Sequence, residues 1–248
     1  MEKQKKERAD VLLVQRELCE SREKARTLIL AGKVRIGSDH VIRKPSDKCL
    51  PDADFVIKEP IQYVSRGAYK LLPALEKYLP DLSGLTAIDI GASTGGFTDL
   101  MLQRGLKKAY CIDSGRGQLH SKLRNDPRVE CHEKTNARHI EPNFIPEKAD
   151  VMVMDVSFIS VTLLLRPTTA LLKNNAWAFI LIKPQFEAKK SEVGHGGVVR
   201  DLDVHEKVIK KVIDFAEENT NLAHLEIIKS PITGPKGNQE YIAVFKKK

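Results

Sequence analysis

The chain has 248 residues, 42% of them apolar and 30% charged, with a formal net charge of +8; that is room for one large domain or a medium domain plus a small one. No apolar run reaches the roughly 18–20 residues of a membrane span: the longest, 151–165, is interrupted by Asp155, and the charged segment 1–10 has no signal-peptide core behind it, so a cytoplasmic protein without a membrane partner is expected. Cys19, Cys49, Cys111 and Cys131 form no CxxC pair, which argues against a zinc site and a disulfide framework, while the positive excess favours a polyanionic partner.

Along the chain, "RADVLLVQREL" places Val11, Leu12, Val14 and Leu18 near helical spacing. A second helix is predicted in "SREKARTLILAG", with Ser21 as its N-cap and Gly32 just past its end. "KVRIGSDHVIRKPSDKCL" then reads as short strands around a Gly-Ser-Asp turn. Arg22, Lys24, Arg26, Lys33, Arg35, Arg43 and Lys44 cluster on the second helix and the turn after it. They form either a solvated face or a phosphate-binding surface. The stretch 8–37, with its Arg8–Asp10 start, Ser21-Arg22, Ala25, Ile29, Gly32 and Val34, resembles the S4 RNA-binding domain, although Ile36-Gly37 stands where many members have Asn-Gly. The resemblance implies a small α+β RNA-binding domain over 6–58, with Arg8, Arg22, Lys24, Arg26, Lys33 and Arg35 as its contacts. Such domains read structured RNA through shape and backbone.

A linker is expected over 59–65, and a second domain over 66–248. "RGAYKLLPALEKYL" has helical period, with Pro73 placing its first turn in question. Strand-like runs follow at "LTAIDI", "KAYCID", "VECHE", "ADVMVMD", "AWAFILIK", "LEIIKS" and "EYIAVFK", mostly with helical stretches between. That alternation predicts an α/β, Rossmann-like parallel sheet covered on both faces. The last connection, "SPITGPKGNQ", is too short and turn-rich for a crossover helix, so the final strand should run antiparallel.

Ligands of such sheets sit beyond the strand carboxyl ends. The first strand leads into the turn Gly91, Ala92, Ser93, Thr94, Gly95, Gly96, Phe97, with Asp89 ahead of it and no Walker lysine behind. Asp113 ends the next strand, where an acid can accept both hydroxyls of a ribose, and Asp89 can hold an ammonium group. A ligand with a ribose, an amino acid and no phosphate is S-adenosylmethionine. Asn136, after the third strand, is a candidate for its adenine edge.

The loop after the fourth strand, "MDVSFIS", lacks the Asn/Asp-Pro-Pro-aromatic motif of base amino-methyltransferases, and no cysteine lies in the fourth- or fifth-strand loop for a cytosine C5 mechanism. Asp155 and Lys183 stand at strand ends instead; Lys70 lies in the leading helix and Glu240 opens the last strand. The stretches "YVSRGAYKL", "DIGASTGGFTD", "DVSFIS", "KPQFEA", "GGVVRD" and "SPITGPKGNQEY" resemble the FtsJ-like ribose 2′-O-methyltransferases and, joined to an S4 domain, the TlyA family, although Arg116 replaces the usual Tyr in "IDSGRGQL". The resemblance implies a catalytic tetrad of Lys70, Asp155, Lys183 and Glu240, with Lys183 as base or electrostatic positioner. It implies as substrate cytidines of ribosomal RNA, free or in ribosomal subunits: 23S and, in some members, 16S, the short termini here resembling the form that acts on the large subunit alone. The family also carries the name hemolysin, so a membrane-active protein and a non-catalytic RNA-binding module stand as the alternatives.

Overall fold

The computed structural model describes residues 6–19, 21–30, 32–37, 40–57 and 62–248. It divides into two units, Met1–Gln62 and Tyr63–Lys248. Ser38 and Asp39 of the expected turn, and residues 59–61 of the expected linker, lie outside the described residues.

In the first unit, β1 (Glu7–Arg8) pairs antiparallel with β4 (Lys48–Cys49), and β2 (Val34–Ile36) pairs antiparallel with both β3 (His40–Val41) and β5 (Phe55–Ile57). Helices α1 (Ala9–Gln15) and α2 (Arg22–Leu30) turn Ala9, Leu12, Leu13, Ala25 and Ile29 onto Val34, Ile42 and Phe55. Ser21 caps α2, its Oγ accepting from the Lys24 amide at 3.2 Å. Gly32, at φ +67°, allows the reversal after it.

Asp10 is fully buried in this small core. Arg8 meets it with two hydrogen bonds, 2.8 and 3.0 Å, and Arg22 with one, 3.1 Å. The Arg8 contact, with Arg22 behind it, outweighs burial and holds the Asp10 carboxyl down at about 2. Because the folded value lies below the ordinary carboxylate range, this contribution is full above about pH 4 and is lost as the pH falls towards 2. Asp10→Asn is therefore expected to cost about 1–2 kcal/mol at pH 7, charge-assisted hydrogen bonds discounted for the exposure of both arginines. Chemical denaturation of wild type and variant should agree at pH 2 and diverge by pH 5.

The second unit opens with α3 (Ala68–Tyr78), which runs through Pro73. The proline removes one backbone donor, but Leu71, Ala74 and Leu75 keep the helix anchored by a fully buried face. Then come β6 (Thr86–Ile90), α4 (Gly96–Gln103), β7 (Lys108–Ile112), α5 (Ser121–Arg124), β8 (Val129–His132), β9 (Ala149–Met154), α6 (Thr162–Thr169), β10 (Leu172–Ile182), α7 (Pro184–Glu187), α8 (Leu202–Asn219), β11 (Leu222–Lys229) and β12 (Tyr241–Lys247). The sheet order is β11-β12-β10-β9-β6-β7-β8. The five strands from β10 to β8 are parallel, and β12 inserts antiparallel between β10 and β11. Residues of α3 and α4 cover one face, and those of α6 and α8 the other. Every residue of β6 is buried, as a central parallel strand requires.

This topology fixes where chemistry can occur. The carboxyl ends Ile90, Ile112, Met154 and Ile182 share one edge, so the next residues, Gly91, Asp113, Asp155 and Lys183, emerge side by side. Because β12 runs the other way, its amino end lies there too: Tyr241 pairs with Ile182, which places Glu240 at the same edge.

Candidate active site

The four charged residues converge there. Lys183 Nζ lies 2.5 Å from Asp155 Oδ1, and Lys70 Nζ lies 3.5 Å from Asp155 Oδ2 and 2.8 Å from Glu240 Oε2. Glu240 is fully buried. Its tie to Lys70 is a close, buried ion pair. Burial pushes the Lys70 ammonium down, but Asp155 and Glu240 outweigh it and hold the group above its ordinary value. Lys183 also donates to Ser157 Oγ at 2.8 Å. Two of its three N–H directions are thus taken. The set is formally neutral, which lets four ionised groups share a confined space.

Two cavities flank the tetrad. One, of about 220 Å³, is lined by Lys70, Asp89, Ala92, Phe97, Asp155 and Lys183 among others. The other, of about 390 Å³, runs past Asp113, Gln118, Asn136, Phe158 and Leu164. Gly91, Ser93, Asp155 and Ser157 line both. A nucleoside-sized hollow therefore adjoins the charged cluster across the glycine turn.

The glycines of that turn make room for protein. A Cβ on Gly91 would stand 2.6 Å from the Asp155 carbonyl oxygen, one on Gly95 2.2 Å from Leu123 Cδ1, and one on Gly96 2.3 Å from Ser65 Oγ. Gly91 and Gly96 still line cavities; Gly95, at φ +93°, lines neither and lets α5 pack against the turn.

Asp89 is almost wholly buried. Thr98 Oγ1 donates to its Oδ2 at 2.7 Å, and its Oδ1 has no partner among the described residues. Burial, with Asp155 and Asp113 adding to it against the Thr98 bond, pushes its carboxyl up to about 7. A buried acceptor without a donor, in a polar cavity, fits a cationic ligand group. Asp113 accepts from the Ser93 amide at 2.8 Å and the Gly115 amide at 2.7 Å, so it ties the two strand-end turns together. Each oxygen keeps a second acceptor direction. Asn136 lines the larger cavity, with its Oδ1 engaged by the Arg138 amide at 3.1 Å.

Residues 63–247 match the FtsJ-like methyltransferase family, and residues 7–54 match the S4 domain. The 16S/23S rRNA (cytidine-2′-O)-methyltransferase TlyA of Mycobacterium tuberculosis is 40% identical over 235 residues, 94% of this chain and 87% of that protein. The chain belongs to the TlyA family of FtsJ-like methyltransferases. Hemolysin A of Brachyspira hyodysenteriae is 42% identical over 234 residues, 91% of this chain and 94% of that one. A solved structure named as a hemolysin from Streptococcus thermophilus has a TM-score of 0.74 and 40% identity, covering 99% of this chain and 90% of its own. Among the described residues, no helix is long and apolar enough to cross a membrane.

Within this TlyA-family chain, the six basic residues of the S4 unit differ in their availability. Arg22, Lys24 and Arg26 lie exposed on α2, and Lys33 and Arg35 are half-buried at β2. Arg8 and Arg22 are committed to Asp10; their first task is structural, and one of the two charges is cancelled.

Three further residues shape the site. Ser157 holds Lys183, Thr98 aims Asp89, and Glu187 fastens the loop after β9: its carboxylate accepts from Ser160 Oγ at 2.6 Å and the Val161 amide at 2.7 Å. Ser157, Glu187 and Thr98 fall within "DVSFIS", "KPQFEA" and "DIGASTGGFTD", but nothing in those stretches says what each touches. In the loop fastened by Glu187, Phe158 stands 90% exposed at φ +64°, its ring centroid 5.0 Å from that of Phe186.

Asp113→Ala is expected to weaken S-adenosylmethionine binding about 10- to 100-fold, from the loss of charge-assisted hydrogen bonds worth roughly 1.5–3 kcal/mol. RNA affinity should hold. Unchanged cofactor affinity by calorimetric titration would remove Asp113 from the cofactor pocket.

Proposed function

We propose that this chain transfers a methyl group from S-adenosylmethionine to the ribose 2′-hydroxyl of a cytidine in ribosomal RNA. The observation that carries this reading is the Lys183–Asp155–Lys70–Glu240 chain of ion pairs beside a cavity that holds Asp113. In this reading Asp113 and Asn136 take the nucleoside end of the cofactor, and Asp89 its ammonium. S-adenosylmethionine supplies the electrophilic methyl group on a sulfonium.

The chain's own residues have to align a poor nucleophile. Asp155 and Ser157 hold Lys183 Nζ in place, and its remaining N–H direction meets the 2′-oxygen. That contact turns the oxygen's lone pair towards the methyl group and stabilises the negative charge that grows on the oxygen. As the O–CH3 bond forms and the sulfonium–methyl bond breaks, the hydroxyl proton passes to solvent water, since the ammonium is already protonated. Lys70 keeps Asp155 and Glu240 fixed as counter-charges. The exposed Phe158 ring, braced at a tilt by the half-buried Phe186, offers an apolar face on which an unstacked base can rest. The S4 unit, over 6–58, brings the RNA, and 66–248 carries the chemistry.

The test is transfer of labelled methyl from S-adenosylmethionine to purified 50S and 30S subunits and to naked ribosomal RNA, followed by nucleoside analysis. A 2′-O-methylcytidine product is expected. Label in a base, or no label in any RNA, would overturn the reading.

A further inference from the structure

The motifs "GGVVRD" and "SPITGPKGNQEY" lie mostly outside the tetrad and its cavities, yet they build a third hollow. Asn238, almost fully buried, joins them: its Oδ1 accepts from the Val199 amide at 3.1 Å and its Nδ2 donates to the Gly197 carbonyl at 2.9 Å. The floor is a second fixed pair. His205 Nε2 faces the Val199 carbonyl at 2.9 Å, which can only accept, so Nε2 carries a proton; Nδ1 pairs with the Tyr241 hydroxyl at 2.8 Å. The resulting cleft has about 370 Å³ and is lined by Val198, Arg200, His205, Lys229, Lys236 and Tyr241 among others, with no acidic side chain in its lining.

Its cations differ from several other exposed lysines of the chain. Lys77, Lys122, Lys207 and Lys210 each have a carboxylate partner. Arg200, Lys229 and Lys236 are exposed and have no ion pair or side-chain hydrogen bond among the described residues. Lys236 is held at φ +61°, a backbone region that disfavours a residue with a side chain, with its Nζ over Gly197. Three free cations converging on a rigid hollow without a counter-charge make a site for an anion.

Its position says which anion. Gln239 and Tyr241 line the cleft, and Glu240 between them belongs to the tetrad. Neighbouring side chains in extended backbone point to opposite sides, so the two sites lie back to back across one stretch of chain.

We propose that this cleft is a subsite for a backbone phosphate of the RNA, flanking the target nucleotide, with Arg200, Lys229 and Lys236 as its cationic walls. The proposal rests on the reading of RNA as the substrate. The contact is sequence-independent: it sets the register of the strand, while the tetrad selects the ribose.

The test compares the full chain with R200Q/K229Q/K236Q and with the charge-retaining R200K/K229R/K236R. S-adenosylmethionine affinity, melting temperature, kcat and KM for subunit methylation, and the salt dependence of RNA binding are measured for each. The neutral variant should keep cofactor affinity, melting temperature and kcat. Its KM should rise about tenfold or more, and its salt slope should fall by about 0.7–0.9, the value for one phosphate contact removed; the charge-retaining variant should match wild type. If the triple variant fails to fold, each single substitution should show about a third of the slope change. Unchanged KM and slope in a folded neutral variant would overturn the proposal. A titration with inorganic phosphate separates the sources: phosphate binding lost in the neutral variant with KM and slope intact would assign the cleft to a free phosphate and overturn the RNA assignment. Absence of methyl transfer by the wild type would count against the substrate reading alone, because the binding slopes still decide the cleft.

Discussion

Lys183→Ala is expected to lower the rate of methyl transfer by about 10²–10⁴-fold, the range set by loss of a positioned proton-handling or charge-stabilising group. Lys183 is buried and points its ammonium at Asp155 and Ser157. Without it the 2′-oxygen loses its only strand-end cation at close range, since Lys70 is turned towards Glu240 at 2.8 Å. The substitution also leaves the cluster with one excess negative charge. A cationic cofactor would feel that charge favourably, so S-adenosylmethionine affinity should stay level or tighten slightly while turnover collapses. Single-turnover transfer with labelled cofactor, alongside calorimetric binding and a melting curve, separates this outcome from simple unfolding, which removing one member of a buried pair invites. Lys183→Met, which keeps most of the side-chain volume, should melt near wild type and remain inactive. Near wild-type turnover in either variant would refute the role given to Lys183.

The sheet was legible because its central strands are buried on both faces and read as short, largely apolar runs, broken only by Thr86 and Asp89 in 86–90 and by Asp150 in 149–154; both strands are almost wholly buried. The antiparallel last strand was legible too, from the shortness of "SPITGPKGNQ", although its insertion between β10 and β11 was not. What escaped the sequence was long-range pairing. Asp10 looks like an ordinary first-turn acid, yet it is the buried anchor of two arginines, one of them twelve residues or so away at 22. Gly95 reads as a place for a ligand to approach, but the room it leaves is filled by Leu119 and Leu123. Glu187 acts on partners brought near by the sheet, the Ser160 hydroxyl and the Val161 amide, while Thr98 reaches back nine residues across the glycine turn to Asp89. Periodicity marks which face of an element is apolar. It carries no information about which polar group on another element will close a hydrogen bond.

Asp89 offers a test in which pH, rather than an assay of chemistry, reports on the site. Its carboxyl, pushed up to about 7 by burial and then by Asp155 and Asp113, is largely protonated below neutrality in the free protein. In the unfolded chain the same group ionises near 3.9, so between about pH 4 and 7 the folded state holds the extra proton. Stability from this group is therefore full at low pH and falls as the pH rises through that window, by an amount on the order of 4 kcal/mol. An ammonium against the unpartnered Oδ1 reverses the balance, because an opposite charge favours the carboxylate. Cofactor binding should then expel the proton, and S-adenosylmethionine affinity should fall about tenfold per pH unit below 7 until the bound state itself protonates. The series should stop near pH 7.5, since an α-amino group titrates at about 7.7–8.0. Calorimetry in buffers of different ionisation heat would count the released proton directly. Asp89→Asn should be more stable than wild type at pH 7.5, bind the cofactor about 10- to 100-fold more weakly there, in line with loss of roughly 1.5–3 kcal/mol, and show a nearly flat affinity between pH 5.5 and 7.5. A wild-type affinity that is equally flat, with no proton released, would mean that Asp89 does not meet the cationic end of the cofactor. Its unpartnered oxygen would then need another donor.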